Sequence, residues 1–526
     1  MTYTDNNDLH RFANLSFILL NKIISYLDQV LDRVCFSLVC KRWFDHRDKY
    51  LWFNSGYFLK SSALEINRTF KLNSYKELFQ RSLNNNTNQK HLVIITYTSD
   101  YSSFLHHFKP YTVDFIKALD IRNDHIQILK SSNASTFCTL HSCQFQDNIR
   151  FPPSIKEIKT SGCINLSFLP QELEYLEMSL GVDYERSKLD ISLLPRTLKV
   201  LKINGFESIM FDYESLPPNL EEFLYYAKSK QPLTPNNRQL PPTLKIVSIS
   251  NHQLPYIKHL TSLHTLSVAL LHKSVINVGD IPESVTDLTF NNFSSEPSMI
   301  SRDIIPPNIK HLCLKRTLKI LSDSQSTHIF TALLYLETLD LSMLDTRSSH
   351  DFGVLPTSLI NISLPYDTKF NFDSLIANCN QLPNLKFIDY GGFRSDGDLR
   401  LNNTSIRSVK LNHTTRITGQ TIPKSVEIID FSNYRLLVGQ DAWPSSIQSI
   451  TVDIEFIDAN DNLMNIPSSI NNIIIKFLSP TYKHCTFNTR RLDQQFILLY
   501  ANNLYNINSA ILNINSLSNY IKNVAI

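Results

Sequence analysis

Metal binding and catalysis both need ionisable or nucleophilic side chains brought together, so the cysteines and histidines come first. Cys138-Thr139-Leu140-His141-Ser142-Cys143, with Cys163 farther along, contains zinc-type ligands. No pair among them has C-x-x-C spacing, and cysteine is among the commonest fully buried residues, so small core residues or exposed thiols are the expectation. His106-His107 and His484-Cys485 are isolated pairs without an evident carboxylate partner and read as repeat filler. Neither a G-x-G-x-x-G nor a G-x-x-x-x-G-K stretch occurs, and there are only 11 glycines in 526 residues. That is about 2% against a usual ~7%, too few for folds that cradle phosphates on glycine-rich loops. With no convergent triad or ligand set, the chain is expected not to be an enzyme, with no catalytic, cofactor-binding or metal-binding residues. A hydrolase or metal site hidden in a loop is the remote alternative.

Composition narrows the partners. The balance of 51 Lys+Arg against 48 Asp+Glu gives no reason to expect nucleic acid or an anionic membrane. A hydrophobic fraction of 42%, with 31 Phe and 22 Tyr, is ample for a large core. The N-terminus, Met1-Thr2-Tyr3-Thr4-Asp5, is polar and acidic where a secretory signal is basic then apolar. Apolar runs such as Phe17-Ile18-Leu19-Leu20 fall far short of the ~20 residues that span a bilayer. Eight cysteines in so long a chain make no disulfide scaffold. A soluble intracellular protein, cytoplasmic and/or nuclear, is expected, and Asn-x-Ser/Thr triplets such as Asn67-Arg68-Thr69 read as chance.

An internal repeat sets the elements that must position any site. From each anchor, apolar residues fall at +3, +6 and +8. Pro170 gives Leu173, Leu176 and Met178; Pro195 gives Leu198, Leu201 and Ile203; Pro241 gives Leu244, Val247 and Ile249. Pro152, Pro217, Pro282, Pro306, Pro356, Pro423, Pro444 and Pro467 continue the pattern, and Leu260, Leu333, Leu382 and Asn403 hold the slot without proline. Weaker matches at Gln89, Val113 and Ala134 extend it backwards. The period is roughly 22 residues, inside the 20–29 of leucine-rich-repeat coils. Residues +6 and +8 share one side of a short strand, and stacking buries them where a single coil could not. Proline suits position i+1 of a turn. Every proline anchor but Pro170 carries Ser, Thr or Asn two residues on, able to bond nearby backbone amides.

Positions +5 and +7 point the opposite way and form the expected target-binding face. There stand Tyr175, Glu177, Lys202, Asp287, His311, Asp340, Lys410 and Asp430, of mixed sign.

The repeat resembles the FNIP variety of leucine-rich repeats, L-P-x-S-L-x-x-L-x-L followed by F-N-x-P-L. Its fullest copy runs from Gln231-Pro232-Leu233-Thr234-Pro235-Asn236 into Leu240-Pro241-Pro242-Thr243-Leu244-Lys245, and Phe370-Asn371 is a fragment. Most units keep the L-P half alone, and the regular Asn ladder is absent.

Residues 12–53 have no repeat. Leu15, Leu19, Ile23 and Leu27 recur at intervals of four, Asp28 begins a break, and Leu31, Val34, Leu38 and Val39 supply a second apolar face with Trp43 and Trp52. Some 40 residues are marginal alone, so a partner or adjoining domain should cover one face; a helical cap on the solenoid is the plain expectation. Leu15-Ser16, Ile23-Ile24-Ser25-Tyr26-Leu27-Asp28, Leu38-Val39-Cys40-Lys41-Arg42-Trp43 and Leu51-Trp52 also resemble an F-box in the family's order, with Ser16 where proline is usual. In the family's pattern Cys40 is a core position. The resemblance implies docking onto the Skp1-type adaptor of a cullin–RING ubiquitin ligase through Leu15, Ile23, Leu27, Leu31, Val39 and Trp43.

The expected fold is therefore an α+β repeat protein. A small N-terminal all-α F-box-like helical module (12–53) is followed by a helical then polar linker (54–88), with a loop at Asn84-Asn85-Asn86-Thr87-Asn88-Gln89. Next comes a leucine-rich-repeat-type β-solenoid (89–480) with short parallel strands and mostly irregular convex loops, then a C-terminal cap (481–526). Leu492, Phe496, Leu499 and Tyr500 suggest that the cap begins with a helix over 490–505, and 506–526 add one more irregular coil. The expected function is an F-box receptor that holds an unknown target protein, with a repeat-based interaction scaffold as the alternative.

Overall fold

The computed structural model describes residues 12–53, 58–59, 71–85, 91–95, 115–118, 134–142, 151–161, 164–179, 190–204, 216–226, 240–271, 276–294, 298–300, 302–316, 318–320, 329–344, 354–366, 379–391, 401, 404–411, 422–431, 443–459, 463, 466–478, 484–502 and 507–525. They comprise a small N-terminal helical segment followed by a leucine-rich-repeat-type parallel β-solenoid. The chain divides into two compact units, residues 92–427 and a second formed by residues 1–91 with 428–526.

In the unit of residues 92–427, successive coils each contribute a short strand. These run from Phe115–Ala118 through Thr136–Ser142, Glu157–Ser161, Tyr175–Ser179, Val200–Asn204, Glu222–Tyr226, Ile246–Ser250, Thr265–Leu270, Asp287–Asn292 and His311–Lys315 to Thr338–Asp340, Asn361–Ser363, Phe387–Asp389 and Ser408–Lys410. Neighbours pair in parallel with equivalent residues opposed, as in Leu176↔Leu201 and Leu201↔Phe223. The +3, +6 and +8 side chains are buried throughout; Leu173, Leu176, Met178, Leu198, Leu201 and Ile203 are all 0% exposed. A coil alone would leave these groups in water, so it is stacking that stabilises each strand.

Ten of the eleven proline anchors, all but Pro306, work differently from the expectation. The carbonyl of each accepts the N–H three residues on: Leu173 to Pro170 (3.1 Å), Leu198 to Pro195 (3.1 Å) and Leu244 to Pro241 (3.2 Å). Proline is thus residue i of the turn rather than i+1, and its missing N–H costs nothing there because only its carbonyl is used. In five of these units the +2 hydroxyl reaches the preceding coil instead of a local amide, whereas Ser154 Oγ is buried without a hydrogen-bond partner. Thr197 Oγ1 donates to the carbonyls of Gln171 (2.7 Å) and Leu173 (2.9 Å), and Thr243 to Pro218 (3.1 Å) and Leu220 (2.7 Å). Ser284, Ser358 and Ser425 repeat the contact. Beside this row the +4 side chains alternate in charge, with Lys156–Glu174 at 3.6 Å, Lys199–Glu174 at 2.7 Å and Lys245–Glu221 at 2.8 Å.

The early units also differ in phase. Val93, Ile116 and Phe137 stand in register with Ile158, so they occupy +6. Ala134 is therefore the +3 residue of its coil, not an anchor, and Val113 lies outside the described residues. In the sequence the phase is ambiguous by three residues, because +3 and +6 are both apolar. Gln89, Asn403, the F-N fragments at 231–236 and Phe370-Asn371, and residues 86–88 of the expected loop lie outside the described residues; Asn84-Asn85 close a helix instead.

The other unit joins both ends of the sequence. Its helices are α1 (Phe17–Ile24), α2 (Val30–Ser37), α3 (Lys41–Asp45) and α4 (Lys76–Asn85). Ser16, where an F-box usually has proline, caps α1 by accepting the Leu19 N–H at 3.3 Å. Three parallel strands, Ile428–Phe431, Ser449–Asp453 and Asn472–Leu478, carry the repeat on. Then come antiparallel strands His484–Arg491, Phe496–Asn502 and Ile507–Asn513, with helices α5 (Ile454–Ala459) and α6 (Leu517–Ala525).

Over the described residues 490–502, the expected helix is instead the end of one strand and the whole of the next. Ile497, Leu498, Leu499, Tyr500 and Ala501 are buried in succession, which a helix with one wet face cannot do and a strand covered on both faces can. Asp493 fixes the turn by accepting the N–H groups of Gln495 and Phe496, both at 2.7 Å. The span 507–525 is a strand and a helix rather than an irregular coil.

Candidate functional site

The helical module has a core and an apolar exterior. Phe17, Leu20 and Ile24 of α1 turn inward, and Leu20 and Ile24 are fully buried. At 100° per residue, Ile18, Leu19 and Ile23 must then face away; they are 82%, 51% and 36% exposed. Leu38 and Val39, just past α2, are 41% and 67% exposed. Large contiguous apolar patches on a monomer's surface mark binding sites, whereas apolar side chains exposed singly are ordinary.

Of the residues expected to touch an adaptor, Ile23 and Val39 are exposed, while Leu15 and Leu27 are half-buried against the module core. Leu31 and Trp43 are only 1% and 5% exposed. The Trp43 ring stacks on Phe36 (4.6 Å between centroids), and its Nε1 donates to the Ala13 carbonyl at 3.1 Å. Both side chains are used inside the module and are withdrawn from the exposed face. Ile18, Leu19 and Leu38 are exposed as well but were not among the residues expected to touch an adaptor; spacing alone does not say which of two apolar arcs is wet. Cys40 packs half-buried on the same core. Arg33, only 2% exposed, donates to the carbonyls of Leu27 and Trp52 and lies 4.0 Å over the Trp52 ring. Burial lowers its pKa, and Asp28 opposes this.

In the unit of residues 92–427, Tyr175, Glu177, Lys202, Asp287, His311, Asp340 and Lys410 occupy the less buried side of their strands. Each is already engaged. Tyr175 donates to Glu177 (2.7 Å) beneath the ammonium groups of Lys159 and Lys202, 4.9 and 5.3 Å from its ring centre; burial and then Glu177 raise its pKa. Lys202 pairs with Glu222 (3.3 Å) and His311 approaches Asp287 (3.9 Å). The Cys313 thiol donates to Asp340 at 3.3 Å; burial, then that carboxylate, push its pKa to about 12, so it is no nucleophile near neutrality. Lys410 meets Asp389 (2.8 Å) and Tyr366 (3.1 Å). Burial alone would lower its pKa, but these two partners outweigh it and hold the ammonium above the ordinary lysine range. In the other unit Asp430 lies 3.4 Å from Lys476. The partners Lys159, Glu222, Asp389, Tyr366 and Lys476 were not foreseen, because long side chains reach across strands to positions no single-coil count pairs.

Cys138 is half-buried and its thiol lies 3.5 Å from the Thr139 carbonyl; Cys143, Cys163 and His106-His107 lie outside the described residues, and Cys485 is buried. Among the described residues no three His, Cys, Asp or Glu side chains gather as a metal site. No described helix is long and apolar enough to cross a membrane.

No family model matches this chain, and no curated protein matches it. Solved structures similar to it include CroV588, described as a novel circular LRR protein, at 16% identity and TM-score 0.37 over 67% of this chain and 57% of that one. A TLR13–ssRNA13 complex aligns at 11% identity and TM-score 0.38 over 70% and 58%. The functional domain of InlJ from Listeria monocytogenes aligns at 11% identity and TM-score 0.28 over 74% and 88%. The chain thus spans less than two thirds of the length of the first two.

Proposed function

We propose that this leucine-rich-repeat protein is an F-box-type substrate receptor, whose helical module docks a Skp1-type adaptor of a cullin–RING ubiquitin ligase while its strand faces hold a target protein. The observation that carries the reading is the exposed apolar arc Ile18, Leu19 and Ile23 with Leu38 and Val39, in a module whose sequence resembles an F-box. An apolar helical face seated in a partner groove is a recurrent recognition mode. The receptor supplies no transfer chemistry; holding a target near the ubiquitin donor raises its effective concentration there.

The test is co-purification of a Skp1-type adaptor with the full chain and with an Ile18→Asp/Val39→Asp variant. Capture by the wild type and its loss in the variant, with unchanged melting temperature, is the expected result. A wild-type chain that captures no adaptor favours the second reading, an interaction scaffold whose helices serve only as a cap. The core that α2 shares with Leu498 and Tyr500 speaks for that reading.

A further inference from the structure

The helical module does not close its own core. Val30, Leu31 and Val34 of α2, with Trp43, Tyr50, Tyr75 and Phe79, form one buried cluster with Leu498 and Tyr500 of the strand Phe496–Asn502. Across the seam, Arg490 donates twice to Asp32 Oδ1, from Nη2 at 2.6 Å and Nε at 2.9 Å, although the two lie 458 positions apart in sequence. The same guanidinium holds Asn472 Oδ1 at 2.5 Å, so one side chain ties α2 to two strands. The Lys71 N–H donates to the Ser509 carbonyl at 2.8 Å, a second tie to the strand Ile507–Asn513. A module of some 40 residues lacks the core to fold by itself, and here the missing part is supplied by residues 458 positions later in the sequence.

We infer that α1–α3 and the antiparallel strands of 484–513 are one cooperative folding unit, so that the apolar docking face of α1 takes its final form only after those strands have been synthesised. The device keeps a chain whose target-holding coils are unfinished from engaging a partner. Its docking clause rests on the adaptor reading above; the coupling itself does not.

Hydrogen exchange of the full-length protein tests it. In the wild type, amides of 17–45 and of 484–502 should open with the same free energy. Arg490→Asp, which sets two carboxylates against each other, should speed exchange in both segments together, by about tenfold to a hundredfold for the loss of charge-assisted hydrogen bonds. The swap Asp32→Arg/Arg490→Asp should return both segments toward wild-type protection. Leu498→Ala, which trims the shared core without touching the ion pair, should loosen both segments as well. Strands that open while α1–α3 keep wild-type protection, in either single variant, overturn the inference. Adaptor capture measured in parallel separates the two proposals: no capture with coupled exchange ends the receptor reading and leaves the folding unit standing.

Discussion

Lys410 illustrates how single residues hold the outer strand face. Its ammonium bridges Asp389 and Tyr366 on neighbouring coils, and the Asp389 carboxylate, only 4% exposed, also accepts the Gly391 N–H at 2.9 Å. Gly391 has a φ of +54° and lies against the Leu364 and Pro365 carbonyls, where a Cβ would collide. Gly391→Ala should therefore destabilise by more than the ~1 kcal/mol that a glycine-to-alanine change gains at a compatible site, read by chemical denaturation. Asp280 gives a pH signature. Burial alone would raise its pKa, but Lys258 (2.8 Å) and the Asn277 N–H (2.7 Å) outweigh burial and hold it below the ordinary aspartate value. A carboxylate depressed in the folded state stabilises above its unfolded pKa of about 3.9 and loses that contribution as pH falls through the lower folded value. Asp280→Asn should thus be less stable than wild type at pH 7 by about 1–3 kcal/mol. The gap should narrow below about pH 4, in melts recorded across pH.

At the scale of one coil, stability comes from three buried apolar positions and one hydroxyl aimed at the coil before. Thr197→Val keeps the shape but removes donation to Gln171 and Leu173; a loss of about 0.5–1.5 kcal/mol is expected, with Thr197→Ser near wild type. Leu201→Ala should cost about 2–5 kcal/mol through its cavity. Both are read from equilibrium denaturation. The apolar positions were legible because period-two alternation inside a fixed longer period admits few other structures. The hydroxyl's direction was not, since a side chain that bonds a local amide and one that bonds the previous coil leave the same letters. The strand Phe496–Asn502 was hidden for a related reason: Leu492, Phe496, Leu499 and Tyr500 match helical spacing, and only burial on both faces separates the two.

Over the whole molecule, the two ends of the sequence meet in one unit. Trp43→Ala removes a ring buried between Phe36 and the rest of the core, and should cost about 3–5 kcal/mol. Ile18→Asp and Val39→Asp lie on the wet face and should stay within about 0.5 kcal/mol of wild type. Melting temperatures of the three variants, with adaptor capture beside them, distinguish a folding role from a docking one. The apolar residues of the helical module were legible in the sequence, but which of them stay exposed was not, because part of the cover comes from Leu498 and Tyr500, far away in sequence. The charge ladder at +4 has a consequence for how the array can grow. Lys156, Glu174, Lys199, Glu221 and Lys245 alternate, so excising one coil from this stretch sets like against like, whereas excising two restores attraction. Each such exposed pair is worth only about 0–1 kcal/mol, so a two-coil duplication is expected to be slightly more stable than a one-coil duplication, read by equilibrium denaturation.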